Sequence, residues 1–149
     1  MKLSKNLTLD EATKSATAIK NGISNKPSGE HLSNLIQIAT KIFQPVRDHF
    51  QKPIVVSSGY RSKALNDLIG GASGSQHSKG EALDLDGSVE NAYIFEFIKN
   101  NLEFDQLIWE FGDDENPDWV HVSYKTENNR GEILQAVRQN GRVIYKIWG

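Results

Sequence analysis

Apolar residues recur every three to four positions from Leu32 to Phe50: Leu32, Leu35, Ile36, Ala39, Ile42, Phe43, Val46 and Phe50. That spacing predicts a long helix with one apolar face. Pro45 lies inside it and predicts a kink or a split, because proline lacks the N–H and crowds the preceding turn. Upstream, Thr8-Leu9-Asp10-Glu11 fits a capping box, so a first helix is expected to run from there to Asn21-Gly22. After Pro53 the period changes. Pro53 to Ser58 reads as a strand entering Gly59-Tyr60-Arg61, and Ser62 to Ile69 as a short helix ended by Gly70-Gly71. A loop rich in Gly and Ser then leads to His77. Ala82, Leu83 and Leu85 mark a buried strand, Ser88 to Asn101 a helix, and Gln106 to Phe111 another strand. Gly112 to Pro117 is an acidic loop before a strand over Asp118 to Ser123. Ile133 to Arg138 and Arg142 to Trp148 flank Asn140-Gly141, the preferred pair for a type I′ hairpin. Helices early and strands late predict an α+β fold, a central antiparallel sheet with flanking helices.

Composition narrows the partners. At 149 residues the chain is expected to form one domain over residues 1–149, with a real core. A formal net charge of −2 gives no electrostatic case for nucleic acid or an anionic membrane surface. No stretch approaches the roughly 18 apolar residues of a membrane span. Met1 to Leu7 lacks the apolar run of a signal peptide. The expectation is synthesis in the cytoplasm as a monomer, with action outside the cell only after release by other means. There is no cysteine, so any metal ion must be held by histidines and carboxylates.

The chemistry concentrates in two stretches. The first is Ser75-Gln76-His77-Ser78-Lys79-Gly80-Glu81-Ala82-Leu83-Asp84-Leu85-Asp86. Asp84 falls inside an otherwise apolar strand, where a carboxylate is costly unless it is paired or holds a metal. The second is Asp118-Trp119-Val120-His121-Val122-Ser123, a histidine among apolar neighbours. Two histidines and a carboxylate match the ligands of a catalytic zinc site with a fourth position for water. Asp84 and Asp86 face the same side of their strand and compete for the ligand role. His31 and His49 fall on predicted helices without a carboxylate pattern. They read as surface or core-edge residues.

These residues resemble the M15 family of zinc D-Ala-D-Ala peptidases. The resemblance runs from about Leu7 to Ser123. It rests on Ser57-Ser58-Gly59-Tyr60-Arg61-Ser62, on Ser75-x-His77-x-x-Gly80-x-Ala82-x-Asp84, and on Trp119-x-His121-x-Ser123. It implies a small zinc-peptidase domain with His77, Asp84 and His121 as zinc ligands. It also implies Asp118 as general base and Arg61 as the cation near the scissile carbonyl. Family spacing selects Asp84 over Asp86, which is left as a turn residue before Gly87. Glu110 is the reserve base, since it ends a strand expected to neighbour that of His121. The implied reaction is hydrolysis of a peptide bond in peptidoglycan stems, as a carboxypeptidase or as an endolysin-type endopeptidase. The alternative is a zinc-stabilised module of the same fold that binds cell wall or protein without cutting it.

Overall fold

A computed structural model describes all 149 residues. The chain opens with a small antiparallel hairpin, β1 (Lys2–Ser4) and β2 (Leu7–Thr8). Thr8 then caps α1 (Leu9–Thr13): its hydroxyl accepts from the Glu11 N–H while the Glu11 carboxylate accepts from the Thr8 N–H, the capping box expected from the sequence.

That first helix is shorter than its pattern. It stops at Thr13, and α2 (Ala16–Lys20) starts afresh with Ser15 as N-cap. The break has a tertiary cause. The Ala12 carbonyl accepts from the Tyr60 N–H, and the Thr13 carbonyl accepts from the Asn25 side chain. Both acceptors would be used within an uninterrupted helix.

The next helical run is continuous but not uniform. It comprises α3 (Glu30–Ile38), a wide π turn (Ala39–Phe43), and α4 (Gln44–Phe50). Pro45 sits in the first turn of α4. The widened turn accommodates the proline while Ile42 and Phe43 stay buried. There follow β3 (Ile54–Ser58), α5 (Lys63–Leu68), a 3₁₀ turn (Gln76–Lys79) and β4 (Ala82–Gly87). The chain ends with α6 (Asn91–Asn101), β5 (Gln106–Glu110), β6 (Trp119–Ser123), β7 (Glu132–Gln139) and β8 (Arg142–Ile147).

Six strands form one sheet in the order β3-β4-β6-β5-β7-β8. The fold is α+β, as expected, but the sheet is not wholly antiparallel. The β5–β7 pair is parallel, because β6 runs antiparallel to β5 and ends beside its start, where the following segment crosses the end of β5 and β7 sets off in the direction of β5. Asn140 and Gly141 both have positive φ (54° and 76°) in the β7–β8 turn, as a type I′ pair requires.

The two faces of the sheet differ. Leu83, Leu85, Leu107, Trp109, Val120 and Val122 point to one face and pack on Leu35, Ile38, Ile42 and Phe43 of the long helical run and on Ile94, Phe95 and Ile98 of α6. Period-two alternation sends Asp84, His121, Ile108 and Glu110 to the other face. There they line a cavity of about 820 Å³. No helix is long and apolar enough to cross a membrane.

Candidate metal centre and active site

The site is assembled by strand register. Asp84 on β4 lies directly opposite His121 on β6, and His121 lies opposite Ile108 on β5. His121 Nδ1 is 3.0 Å from Asp84 Oδ1. His77 arrives from the 3₁₀ turn, 3 % exposed, with Nε2 at 3.5 Å from the same oxygen. One ligand atom from each of the three residues lies within 4.8 Å of the others.

The backbone around His77 explains its aim. Its Nδ1 donates to the Gly59 carbonyl at 2.8 Å, so this nitrogen carries the proton and Nε2 faces the cavity as an acceptor. Gly59 must be glycine, because a Cβ there would run into the Ala12 carbonyl oxygen. Gly80 turns the chain from His77 towards β4 with φ 74°, and a Cβ there would meet the His31 carbonyl oxygen. The Arg61 N–H donates to the His77 carbonyl, joining the two segments. Asn25 braces the same corner. Its amide donates to the carbonyls of Thr13 and Tyr60, and its oxygen accepts from the Ser62 N–H.

The charges are consistent with a cation site. Burial works against ionised Asp84, but the hydrogen bond from His121 and the two imidazole rings beside it hold its carboxyl well below the usual carboxylate range. Burial pushes the His77 pKa down, outweighing the pull of Asp84, which favours the neutral imidazole that a metal needs. The imidazoles of His77 and His121 with the Asp84 carboxylate on one cavity wall suit a borderline-soft divalent ion. The donor set therefore fits a metal.

Of the two candidate bases, the structure brings only Glu110 to this cavity. Glu110 is 7 % exposed and shares the cavity face with His121. Burial raises its pKa to about 7; His121 pulls it down and the Asp84 charge pushes it up. Asp118 does not join the group. It precedes Trp119, whose side chain lines the cavity, so alternation turns the exposed Asp118 away. Its backbone is held between β5 and α6: the N–H donates to the Glu110 carbonyl, and the carbonyl accepts from the Asn91 side chain of α6.

Arg61 does line the cavity. Burial lowers its pKa, opposed by the attraction of Asp84, and its Nε is buried without a hydrogen-bond partner. A guanidinium stays charged even so. Asp86 lies on the same face of β4 as Asp84 but accepts from the Gly87 N–H, as a turn residue; it does not cap α6, whose N-cap is Glu90. His31 and His49 are both exposed, His49 stacked on Phe97 at 4.1 Å. Ser123 is fully buried and accepts from the Gln106 N–H, which fixes the start of β5.

Sequence reasoning did not find the far walls of the cavity. One holds Asp105, fully buried, which accepts from Arg130 Nε at 3.1 Å, Arg130 Nη2 at 2.8 Å and Gln76 Nε2 at 3.1 Å. The other is formed by Leu134, Val143 and Tyr145 of the last hairpin.

The Peptidase M15 family model matches residues 5–123. The chain belongs to the Peptidase M15 family. That span carries His77, Asp84, His121, Arg61 and both carboxylates, and it stops before β7. A comparison with curated proteins gives no match. M15 proteins are metallopeptidases, and in this M15 member His77, Asp84 and His121 form a group that could hold the metal ion.

Proposed function

We propose that this M15 peptidase is a zinc enzyme that hydrolyses an amide bond in peptidoglycan stem peptides, with His77, Asp84 and His121 as ligands and Glu110 as general base. The observation that carries this reading is the convergence of three ligand atoms and one buried carboxyl group on a single cavity face.

Zinc, when bound there, supplies Lewis acidity: it polarises a carbonyl and makes water acidic near neutral pH. Glu110 takes the proton of the attacking water and returns it to the leaving amine. Burial raises the Glu110 pKa and so favours return of the proton, while a nearby cation favours the ionised form that accepts it. Arg61 places a delocalised cation at the cavity wall, where negative charge gathers on the scissile carbonyl oxygen. The Gly59 carbonyl holds His77 in the tautomer and direction that ligation needs. Glu110 and Arg61 have no evident use in a module that only binds, which favours hydrolysis over that alternative.

The test is digestion of purified peptidoglycan by zinc-loaded protein, with mass spectrometry of the released fragments and metal analysis of the same sample. Fragments from one cut stem bond and one zinc per chain are expected. Intact peptidoglycan with zinc bound would favour the binding module. No bound zinc would overturn the reading.

A further inference from the structure

The last hairpin lies outside residues 5–123, yet it walls the same cavity as the metal-ligand group. Register shows how. Glu110 on β5 is opposite Ala136 on β7, and Ala136 is opposite Tyr145 on β8. Ile108, Leu134 and Ile147 form the neighbouring row, on the same face. Between Glu110 and Tyr145 stands only the small side chain of Ala136, itself fully buried. In a flat sheet β8 would lie four strand spacings, about 19 Å, from β4. Tyr145 and Asp84 nevertheless line one cavity, so the sheet coils and brings β8 round to face the ligand set. In keeping with this, burial raises the Tyr145 pKa, and the charges of Glu110 and Asp84 raise it further.

The hairpin is anchored from its other face. Trp148 packs on Phe95 at 4.7 Å and on Trp109 at 5.1 Å, and its N–H donates to the Ile133 carbonyl. The cavity side is left with apolar groups in the open: Val143 is 43 % exposed, Tyr145 55 % and Ile147 88 %. Val143 and Tyr145 line the cavity of the ligand group, and Ile147 extends the same strand face beyond it.

We propose that this face of β8, centred on Tyr145, is the wall that grips the substrate peptide beside the scissile bond. The inference rests on the peptidase reading above. Its occupant is the substrate chain itself, because the apolar face and the ligand group share one cavity. Tyr145 acts as a positioning residue: its ring covers apolar parts of the peptide and takes no proton.

The test uses full-length, zinc-loaded protein with a synthetic stem pentapeptide. Wild type, Tyr145→Ala, Tyr145→Phe and the pair Val143→Ser with Ile147→Ser are compared. Tyr145→Ala and the double variant should raise KM about tenfold with little change in kcat, and Tyr145→Phe should keep most of the affinity. Calorimetric binding of the pentapeptide to Glu110→Gln, with and without Tyr145→Ala, reads the same contact without turnover. Thermal denaturation checks that the exposed substitutions leave the fold intact. An unchanged KM and affinity in Tyr145→Ala would overturn the wall and leave the peptidase reading standing, as would a loss confined to kcat. Tyrosine-dependent binding of a peptide that wild type never cuts would support the wall and overturn the peptidase reading. A wild type that neither binds nor cuts the pentapeptide would overturn both.

Discussion

A carboxylate in a strand serves the face its position dictates, and Glu110 and Asp118 illustrate both outcomes. Glu110 shares a face with His121, whereas Asp118 falls on the opposite phase and reaches solvent. Glu110→Gln should therefore lower kcat by about 10²–10⁴-fold with zinc retained, while Asp118→Ala should stay near wild type. Steady-state kinetics beside metal analysis checks this. If Asp118→Ala were the inactive variant, the roles would be exchanged. The pH dependence follows from the same group. A base works only when unprotonated, so the rate must fall as pH drops through its pKa. Glu110 sits at about 7 without a metal, and a nearby cation favours the charged form. The acid limb of kcat/KM is expected at or below pH 7 and should vanish from the residual activity of Glu110→Gln.

Among the elements, long periodic segments were readable and their interruptions were not. The helical run to Phe50, the strands around Asp84 and His121, and the Asn140-Gly141 hairpin follow from local pattern and turn chemistry. The break at Lys14-Ser15 does not, because it depends on carbonyls claimed by Tyr60 and Asn25 from elsewhere in the chain. The parallel β5–β7 pair is equally invisible, since period-two alternation says nothing of a strand's direction. Gly59 ties these levels together: it lets Ala12 approach and presents its carbonyl to His77. Gly59→Ala should lower stability by about 1–3 kcal/mol and weaken zinc binding together. Thermal denaturation and a chelator titration are the measurements. Wild-type zinc affinity in this variant would separate the corner from the ligand.

For the molecule as a whole, the ligand set was legible because its residue types and spacings are local. The cavity was not, since its walls come from segments far apart in the chain. Asp105 is the clearest case: one buried carboxylate joins the 3₁₀ turn, the start of β5 and the loop at Arg130. Burial opposes its charge, but the bonds from Arg130 and Gln76 win and lower its pKa. The stability it contributes is therefore fully present above the unfolded carboxylate value of 3.8 and is lost as pH falls through the lower, folded value. Asp105→Asn should cost about 2–4 kcal/mol at neutral pH and flatten that acid loss. Urea denaturation at pH 7 and pH 3 measures both. Equal stability differences at the two values would remove Asp105 from the account.

The central place of β6 has a kinetic consequence. His121 cannot meet Asp84 until β6 has entered between β4 and β5, which pair with it on either side. The Asp84–His121 pair joins residues 37 apart in the chain, so loop closure makes the β4–β6 contacts slow to form. The ion therefore finds a complete set of donors only after the rate-limiting step of folding has passed. It should latch the finished molecule without guiding the chain towards it. Stopped-flow refolding with and without zinc should give the same folding rate, whereas unfolding should slow as zinc is added. A folding rate that climbed with zinc would place the joining of β4 and β6 before the barrier.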